Sequence, residues 1–429
     1  MKEGEIGVFR FVHAADIHLD SPLRSLALRD PALADLVGTA ARSAFIRIMD
    51  LCLEEQVDAL LIAGDLYDGD QTSMKTARFL AEQLRRLESA GIRVLIIRGN
   101  HDNLSKITKE LVLPETVKVF GGWVGTEELA TTGHRPVAIH GLSFAQAKAP
   151  ESLLSKYKAP VAGAINIGLL HTSLGGSPGH DVYSPCSVAE LDAMGYDYWA
   201  LGHIHKRFVS TAGRTIVMPG NIQGRDINEA GPKSVTLVTI DDAGTIELEE
   251  RVVSLAEFQR VAVDLSGLDD WGDVVTAIRK SLQTARSVAL SDQLIARVTL
   301  EGASPLSWRL RADSELLKTE AETIAAEVGA AWVEKLEIQT KDHRLVASTE
   351  ADPLTELHAL IQTDVLKSDG FLQEMTDLTQ KLRTSLPAEC RHILGASEEE
   401  MVAMIKVAAE EGTEEVLARL RNLTAGVEH

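Results

Sequence analysis

Five short stretches of this 429-residue chain place ligand-type side chains where an apolar run ends. HAADIHLD supplies Asp16 and His18, LLIAGDLYD supplies Asp65, and LIIRGNHD supplies Asn100, His101 and Asp102. IGLLHTS adds His171, and LGHIH closes the set with His203 and His205. In LGHIH one isoleucine separates the two histidines, and the period of two at a strand end aims both imidazoles to one side. Carboxylate and amide oxygens mixed with imidazoles form a hard-to-borderline donor set, suited to Mn²⁺, Fe²⁺ or Zn²⁺ more than to Ca²⁺. Two such cations about 3.5–4 Å apart can share one carboxylate and clamp a phosphate. Glycines before Asp65, Asn100 and His203 let the backbone turn sharply and approach such ions closely. Each stretch alone has an ordinary explanation, since an Asp after a strand commonly makes a turn or caps a helix. A lone His171 in LLHTS is an ordinary interior residue. The joint occurrence, always at strand ends, is what chance explains badly.

These residues need elements that carry them to one place. GVFRFVHA, VDALLIAG, IRVLIIRG, PVAIHGLS, NIGLLHTS, DYWALGHI, RTIVMPG, SVTLVTID and IELEERVV read as strands. Helix-like segments fall between them at about 38–55, 73–90, 151–157 and 187–194. ALLIA and VLIIRG are apolar at consecutive positions, which predicts strands covered on both faces in an α/β layered fold with right-handed crossovers. The later runs alternate more and come without helices between them, so an antiparallel contribution and a mixed sheet system are expected. In open α/β sheets, loops beyond strand carboxyl ends are where ligands gather.

After LEERVVSLAEF a smaller βαβαβ module begins, built from RVAVDL, a helix at about 271–286, LIARVTLEG, a helix at about 313–328 and WVEKLEIQT. From Asp352 onward the periodicity is helical only, with Asp352 as N-cap and Pro353 at the first helical position. Three domains are therefore expected: 1–255, 256–342 as an α+β module, and a helical C-terminal region over 343–429.

The length exceeds what one core usually sustains, and 45% hydrophobic with 25% charged residues is ordinary for a soluble globular protein. The apolar runs are too short to span a bilayer, and MKEGEIGVFRF has no long apolar segment of the signal-peptide kind. Cys52, Cys186 and Cys390 are scattered and form no C-x-x-C pair, so a reducing cytoplasm is expected rather than disulfides or a zinc–thiolate site. A net charge of −20 argues on its face against a nucleic-acid partner. The charge is uneven, however, at −7 over residues 1–253 and −13 over 254–429. Arg24, Arg29, Lys206, Arg207, Arg214 and Arg225 lie near the motif loops as candidate positive contacts, though most read equally well as solvated surface.

D-x-H, G-D, G-N-H-D, H and G-H-x-H occur in that order, and over roughly residues 9–253 the chain resembles the calcineurin-like metallophosphoesterases. The resemblance implies a layered αββα sandwich of mixed sheets, followed by a small α+β capping domain and a helical C-terminal region. It also implies two divalent metal ions, Mn²⁺ first, with Fe²⁺ or Zn²⁺ as alternatives. Carried over residue by residue, Asp16, His18 and His205 look like ligands of the first ion, Asn100, His171 and His203 like ligands of the second, and Asp65 bridges both. His101 would face the substrate and protonate or orient the leaving oxygen, with Asp102 holding its ring in one tautomer.

Departures narrow the resemblance. Ser/Thr protein phosphatases of this fold carry an arginine soon after G-D, and G-N-H-E in place of the G-N-H-D found here. Purple acid phosphatases use a tyrosine three residues after the bridging Asp, where this chain has Asp68. HAADIHLDSPL, HTSLGGSPGHDVYSPCSVAEL and PGNIQGRDINEAGPK look instead like the SbcD-type DNA repair exonucleases, nearest their bacterial YhaO-like subgroup. That likeness implies a metal-dependent DNA nuclease with a two-metal mechanism, a cap that meets DNA, and an SMC-like coiled-coil ATPase partner for the tail helices. It also allows a homodimer. His140 and His180 match no ligand position. Two rival readings stay open at this point: a small-molecule phosphodiesterase, and a non-catalytic scaffold on a phosphoesterase fold. The scaffold would have lost ligands, whereas every expected position is filled.

Overall fold

The computed structural model describes residues 8–21, 31–68, 73–102, 113–129, 135–144, 149, 151–175, 183–341, 353–386, 391, 394, 395 and 397–425. They fall into two compact units, Met1–Gln259 with Ser287–Ile295, and Arg260–Arg286 with Ala296–His429. The first unit opens with β1 (Val8–Ala14), α1 (Pro31–Glu54), β2 (Ala59–Ala63), α2 (Met74–Ser89), β3 (Arg93–Ile97) and β4 (Val117–Val119). Then come β5 (Gly125–Leu129), β6 (Val137–Gly141), β7 (Ile165–His171), α3 (Val188–Ala193) and β8 (Tyr198–Gly202). β9 (Phe208–Ser210), β10 (Thr215–Met218), β11 (Ser234–Asp241) and β12 (Ile246–Val252) complete it.

Two six-stranded mixed sheets result, ordered β12-β11-β1-β2-β3-β4 and β5-β6-β7-β8-β10-β9. β1 to β4 run parallel, β11 pairs antiparallel with β1, and β12 pairs antiparallel with β11 at the edge. In the second sheet β6, β7, β8 and β10 run parallel, and β5 and β9 close the edges antiparallel. β2 faces β7 and β8 across the sandwich. Strand alternation explains the consecutive apolar residues. Leu61, Leu95 and Ile97 point between the sheets with Phe9, Phe11, Ile167 and Leu169. Their neighbours Leu60, Ile62, Val94 and Ile96 pack outward against Phe45, Ile48, Leu80 and Leu84 of α1 and α2. On the far side Leu170, Trp199 and Ile216 bury against Leu191 of α3 and against Tyr196, which follows that helix. Four layers therefore stand as helix, sheet, sheet, helix.

The small module begins with β13 (Ala256–Asp264), α4 (Trp271–Val288) and β14 (Gln293–Glu301). It continues with α5 (Ser307–Ala312), α6 (Ser314–Val328) and β15 (Ala331–Ile338), the strands forming a sheet in the order β13-β14-β15. α7 (Pro353–Leu360), α8 (Asp369–Ser385) and α9 (Glu398–Ala425) follow. Leu417 of α9 packs on Trp308 of α5. Among the described residues no helix is long and apolar enough to cross a membrane.

Several details differ from the sequence expectation. β4, β5 and β9 are edge strands, half-exposed along most of their length, so no apolar run marks them. The helix expected at 151–157 is one 3₁₀ turn over Leu154–Lys156, as a segment too short to sustain α-helical nucleation tends to be. α1 starts earlier, at Pro31, where a proline suits the first helical turn. The helix from Pro353 passes into a π-helical turn over Ile361–Val365. Asp352, Cys390, His180, Arg24 and Arg29 lie outside the described residues.

Candidate active site

β1, β2, β3, β7 and β8 end on one edge of the sandwich, and the ligand-type residues occupy their last positions or the turns that follow. The first two turns are zipped together by backbone. Asp16 N–H donates to the Gly64 carbonyl at 3.1 Å, and the N–H groups of Ile17 and His18 both donate to the Asp65 carbonyl at 2.9 and 3.0 Å. Left-handed φ values occur at residues that carry side chains: 49° at Asp16, 46° at His18, 51° at Asp65 and 105° at His203. Such backbone costs on the order of 1–3 kcal/mol per residue and persists where surrounding structure over-determines it. Gly64, at φ 97°, lies against the His171 ring, and Gly99 lies against the Asp65 carboxylate; a Cβ at either would collide.

Three candidate donor groups among the described residues are the outcome; one, His18 with Asp68 and His101, shares His18, and the other two match the expected ligands. Asp16, His18 and His205 form one and Asp65, His171 and His203 the other, the ligand atoms of each lying within 4.8 Å of one another. Asn100 joins the second group, its Oδ1 3.1 Å from His171 Nε2. That same nitrogen is 3.3 Å from Asp65 Oδ2.

The proton inventory shows that each group fits a cation. His171 Nδ1 donates to the Ala63 carbonyl at 2.9 Å, and its Nε2 faces two acceptor oxygens, a place a proton fills and a cation would take over. His205 Nδ1 donates to Glu229 Oε1 at 2.7 Å, which leaves Nε2 bare at 3.1 Å from His18 Nε2. His18 Nδ1 is buried without a hydrogen-bond partner among the described residues. A cation would replace the protons that such facing nitrogens and oxygens otherwise share, and imidazole with carboxylate and amide oxygen suits Mn²⁺, Fe²⁺ or Zn²⁺. Burial pushes the His18 imidazole down to about 3 and the Asp16 carboxyl up. Against burial, Asp65 raises His171 to about 9, while His171 and His18 hold the Asp65 carboxyl below its ordinary range.

His101 is 41% exposed, against 21% for His205, 3% for His18 and 0% for His171, so among these it is the ring most open to a substrate. Its Nδ1 pairs with Asp68 Oδ1 at 2.9 Å, and this bond raises its pKa. Asp68 is held from the other side by Ser21, whose hydroxyl donates at 2.7 Å. The expectation that Asp102 holds the His101 ring is corrected here. Asp102 turns inward, where its two oxygens accept the N–H groups of Tyr67 at 2.9 Å and Gly99 at 3.0 Å. Buried backbone donors require partners, and Asp102 supplies them, tying the β2 turn to the β3 turn. Burial and the nearby Asp65 push its carboxyl up to about 6.

Sequence reasoning missed two residues. Asp68 enters it only as a departure from another family's tyrosine, although its place three residues after Asp65 puts it on the same turn. Glu229, in a 3₁₀ turn over Ile227–Glu229, accepts from His205, from Asn221 Nδ2 at 2.8 Å and from the Arg225 N–H at 2.8 Å. Burial opposes its ionisation, yet His205 and Arg225 keep its carboxyl well below the usual range.

Both donor groups open into a cleft of about 1020 Å³, whose lining includes Asn100, His101, Tyr183, Arg225 and Lys233. Of the candidate cations, Lys206, Arg207 and Arg225 line it. Arg214 does not: it precedes β10, which pairs in parallel with β8, and bonds Asp197 at 3.3 Å at the opposite strand end. His140 is structural, its ring nitrogens 3.0 Å from Thr126 Oγ1 and 3.0 Å from Asn166 Oδ1.

Comparison with known proteins agrees with this geometry. Residues 9–207 match the calcineurin-like phosphoesterase family, and residues 258–341 match the middle domain of metallophosphoesterase YhaO. The chain is 33% identical over 350 residues to the uncharacterized metallophosphoesterase YhaO of Bacillus subtilis (strain 168), covering 80% of this chain and 84% of that one. It is 24% identical over 387 residues to the DNA double-strand break repair protein Mre11 of Methanopyrus kandleri, covering 84% and 77%. The solved structure of TT1561 of Thermus thermophilus aligns with a TM-score of 0.33 and 14% identity over 57% of this chain and 99% of that one. Its likeness to YhaO over most of both chains, with the phosphoesterase and middle domains each matched, shows that the chain belongs to the calcineurin-like metallophosphoesterases, a family of phosphoester hydrolases that use divalent metals.

Proposed function

We propose that this chain is a metal-dependent DNA nuclease that hydrolyses phosphodiester bonds, acting in DNA repair in the cytoplasm with an SMC-like coiled-coil ATPase. The observation that carries this reading is the meeting of both donor groups and an exposed His101 in one open cleft. Such a cleft leaves room for chain on either side of a single phosphate. The likeness to Mre11 along most of the length supports DNA as the polymer.

In this reading Asp16, His18 and His205 hold one ion, Asn100, His171 and His203 hold the other, and Asp65 is shared. Divalent ions bound there, Mn²⁺ first, supply positive charge that polarises a phosphoester and acidifies an attacking water. His101, aimed by Asp68, delivers a proton to the departing sugar oxygen. Its backbone N–H donates to Asp65 Oδ1 at 3.0 Å, which keeps acid and donor groups in register. The module after residue 255 serves as the cap, and the C-terminal helices carry the ATPase contact.

With Mn²⁺ the purified protein is expected to degrade end-labelled linear DNA, single- or double-stranded, and EDTA to abolish the reaction. Turnover of a chromogenic diester with DNA left intact would replace this reading by a small-molecule phosphodiesterase. Because the chain carries a net −20 and duplex affinity rests mainly on Lys and Arg, DNA binding by the isolated chain should be weak at physiological salt. Filter binding with and without the ATPase checks this, and tight partner-free binding would count against a partner-supplied grip.

Asp68→Asn keeps the size of the side chain and removes the anion beside His101. Metal content should stay unchanged while kcat on DNA falls roughly ten- to a hundredfold. The sign of the pH effect follows from the raised His101 pKa. Acting as an acid, His101 is competent below its pKa and loses competence as pH rises through it. Without Asp68 the alkaline limb of the rate profile should move to lower pH, read from kcat across a pH series.

A further inference from the structure

We infer that Arg225 is a phosphate anchor of this cleft, set in place by Glu229. The guanidinium uses one edge on protein: Nε lies 3.1 Å and Nη2 2.7 Å from Glu229 Oε1, while His205 Nδ1, 3.0 Å from Nη2, has its hydrogen on Glu229 and accepts nothing from the guanidinium. Nη1 has no hydrogen-bond partner among the described residues. The side chain keeps 31% of its surface exposed and lines the same cleft as Asn100, His101 and His205. Its charge is felt at His18 and His101 as well as at Asp16 and Asp68.

An Arg and a Glu four residues apart are often no more than a surface pair, of little consequence. Here the carboxylate does not need the guanidinium for its own satisfaction. Glu229 already accepts from His205, Asn221 and the Arg225 backbone, and those bonds immobilise it. A fixed carboxylate behind a planar fork leaves the forward N–H groups aimed at whatever oxyanion enters the cleft, and guanidinium geometry suits phosphate oxygens. The ligand class is a tetrahedral phosphate, either inorganic or within a phosphodiester. Arg225 thereby places positive charge beside an otherwise carboxylate-rich centre.

The inference rests on the reading of this cleft as a phosphoester site. The experiment titrates inorganic phosphate by calorimetry into Mn²⁺-loaded wild type, R225Q and R225K, with bound metal counted by plasma mass spectrometry. R225Q should bind phosphate roughly ten- to a hundredfold more weakly with its metal count unchanged. R225K, which keeps the charge and guards against a misfolded Gln variant, should fall between. Unchanged phosphate affinity in either variant would overturn the anchor. Loss of metal from R225Q would overturn it too, because Arg225 would then be a brace for His205. A metal-loaded wild type that binds no phosphate would sink both this inference and the phosphoester reading, whereas normal wild-type binding that R225Q retains sinks Arg225 alone.

Discussion

His101→Asn is expected to lower turnover on DNA by about a hundredfold to ten-thousandfold while leaving the bound metal unchanged. The separation follows from where His101 stands. Its ring is outside the two groups that carry the expected ligands; it meets His18 and Asp68 in a third, shared candidate group and turns to the cleft. What links it to the donors is its backbone N–H on Asp65, which the asparagine variant retains. The loss should also depend on the leaving group. A sugar oxygen leaves poorly as an alkoxide and needs a proton, whereas a p-nitrophenolate leaves without one. The same variant should therefore lose little on a chromogenic diester. Comparing kcat for the two substrates beside a metal count checks the assignment; undiminished DNA turnover, or an equal loss on both substrates, would remove His101 as the acid.

The ligand-type residues were legible because each follows an apolar run, and an apolar run buried on both faces reads as a strand whose end can be located. The supporting residues were not. Asp102 follows His101 directly, so adjacency suggests a partner, yet successive residues of a tight turn point apart, and Asp102 turns inward to backbone donors. Asp68 reaches His101 from another turn, 33 positions earlier, and the contact exists only because β2 and β3 pair in parallel with their carboxyl ends together. Glu229 meets His205 across a loop with no periodicity. Arg214 illustrates the converse: near the motifs in sequence, it belongs to the amino end of its strand and so to the opposite edge of the sheet. The layered α/β architecture was readable for the same reason as the ligands, while β4 and β9, three residues each and outside the core, left no pattern to read.

Asp65→Asn should cost the protein both ions and bring hydrolysis to the detection limit. Asp65 lies where the donor groups meet. Its Oδ2 is 3.3 Å from His171 Nε2 in one group, and its charge is felt at His18 in the other. Asparagine matches its shape, so the bond from the His101 N–H can persist, but the substitution removes the anion and turns amide hydrogens toward the donor set. Loss of a partner that merely supports a ligand weakens metal affinity roughly 10–100-fold, and loss of a shared ligand should exceed that at both positions. The neighbouring histidines give the contrast that makes the result interpretable. His203→Ala should empty the site of Asn100 and His171 while the other remains filled, and His205→Ala should do the reverse. Metal stoichiometry by plasma mass spectrometry should therefore fall from two to one in each histidine variant and from two to none in D65N. A D65N protein that keeps one ion as firmly as the histidine variants do would show that Asp65 serves a single site, and the shared-carboxylate arrangement would have to be abandoned.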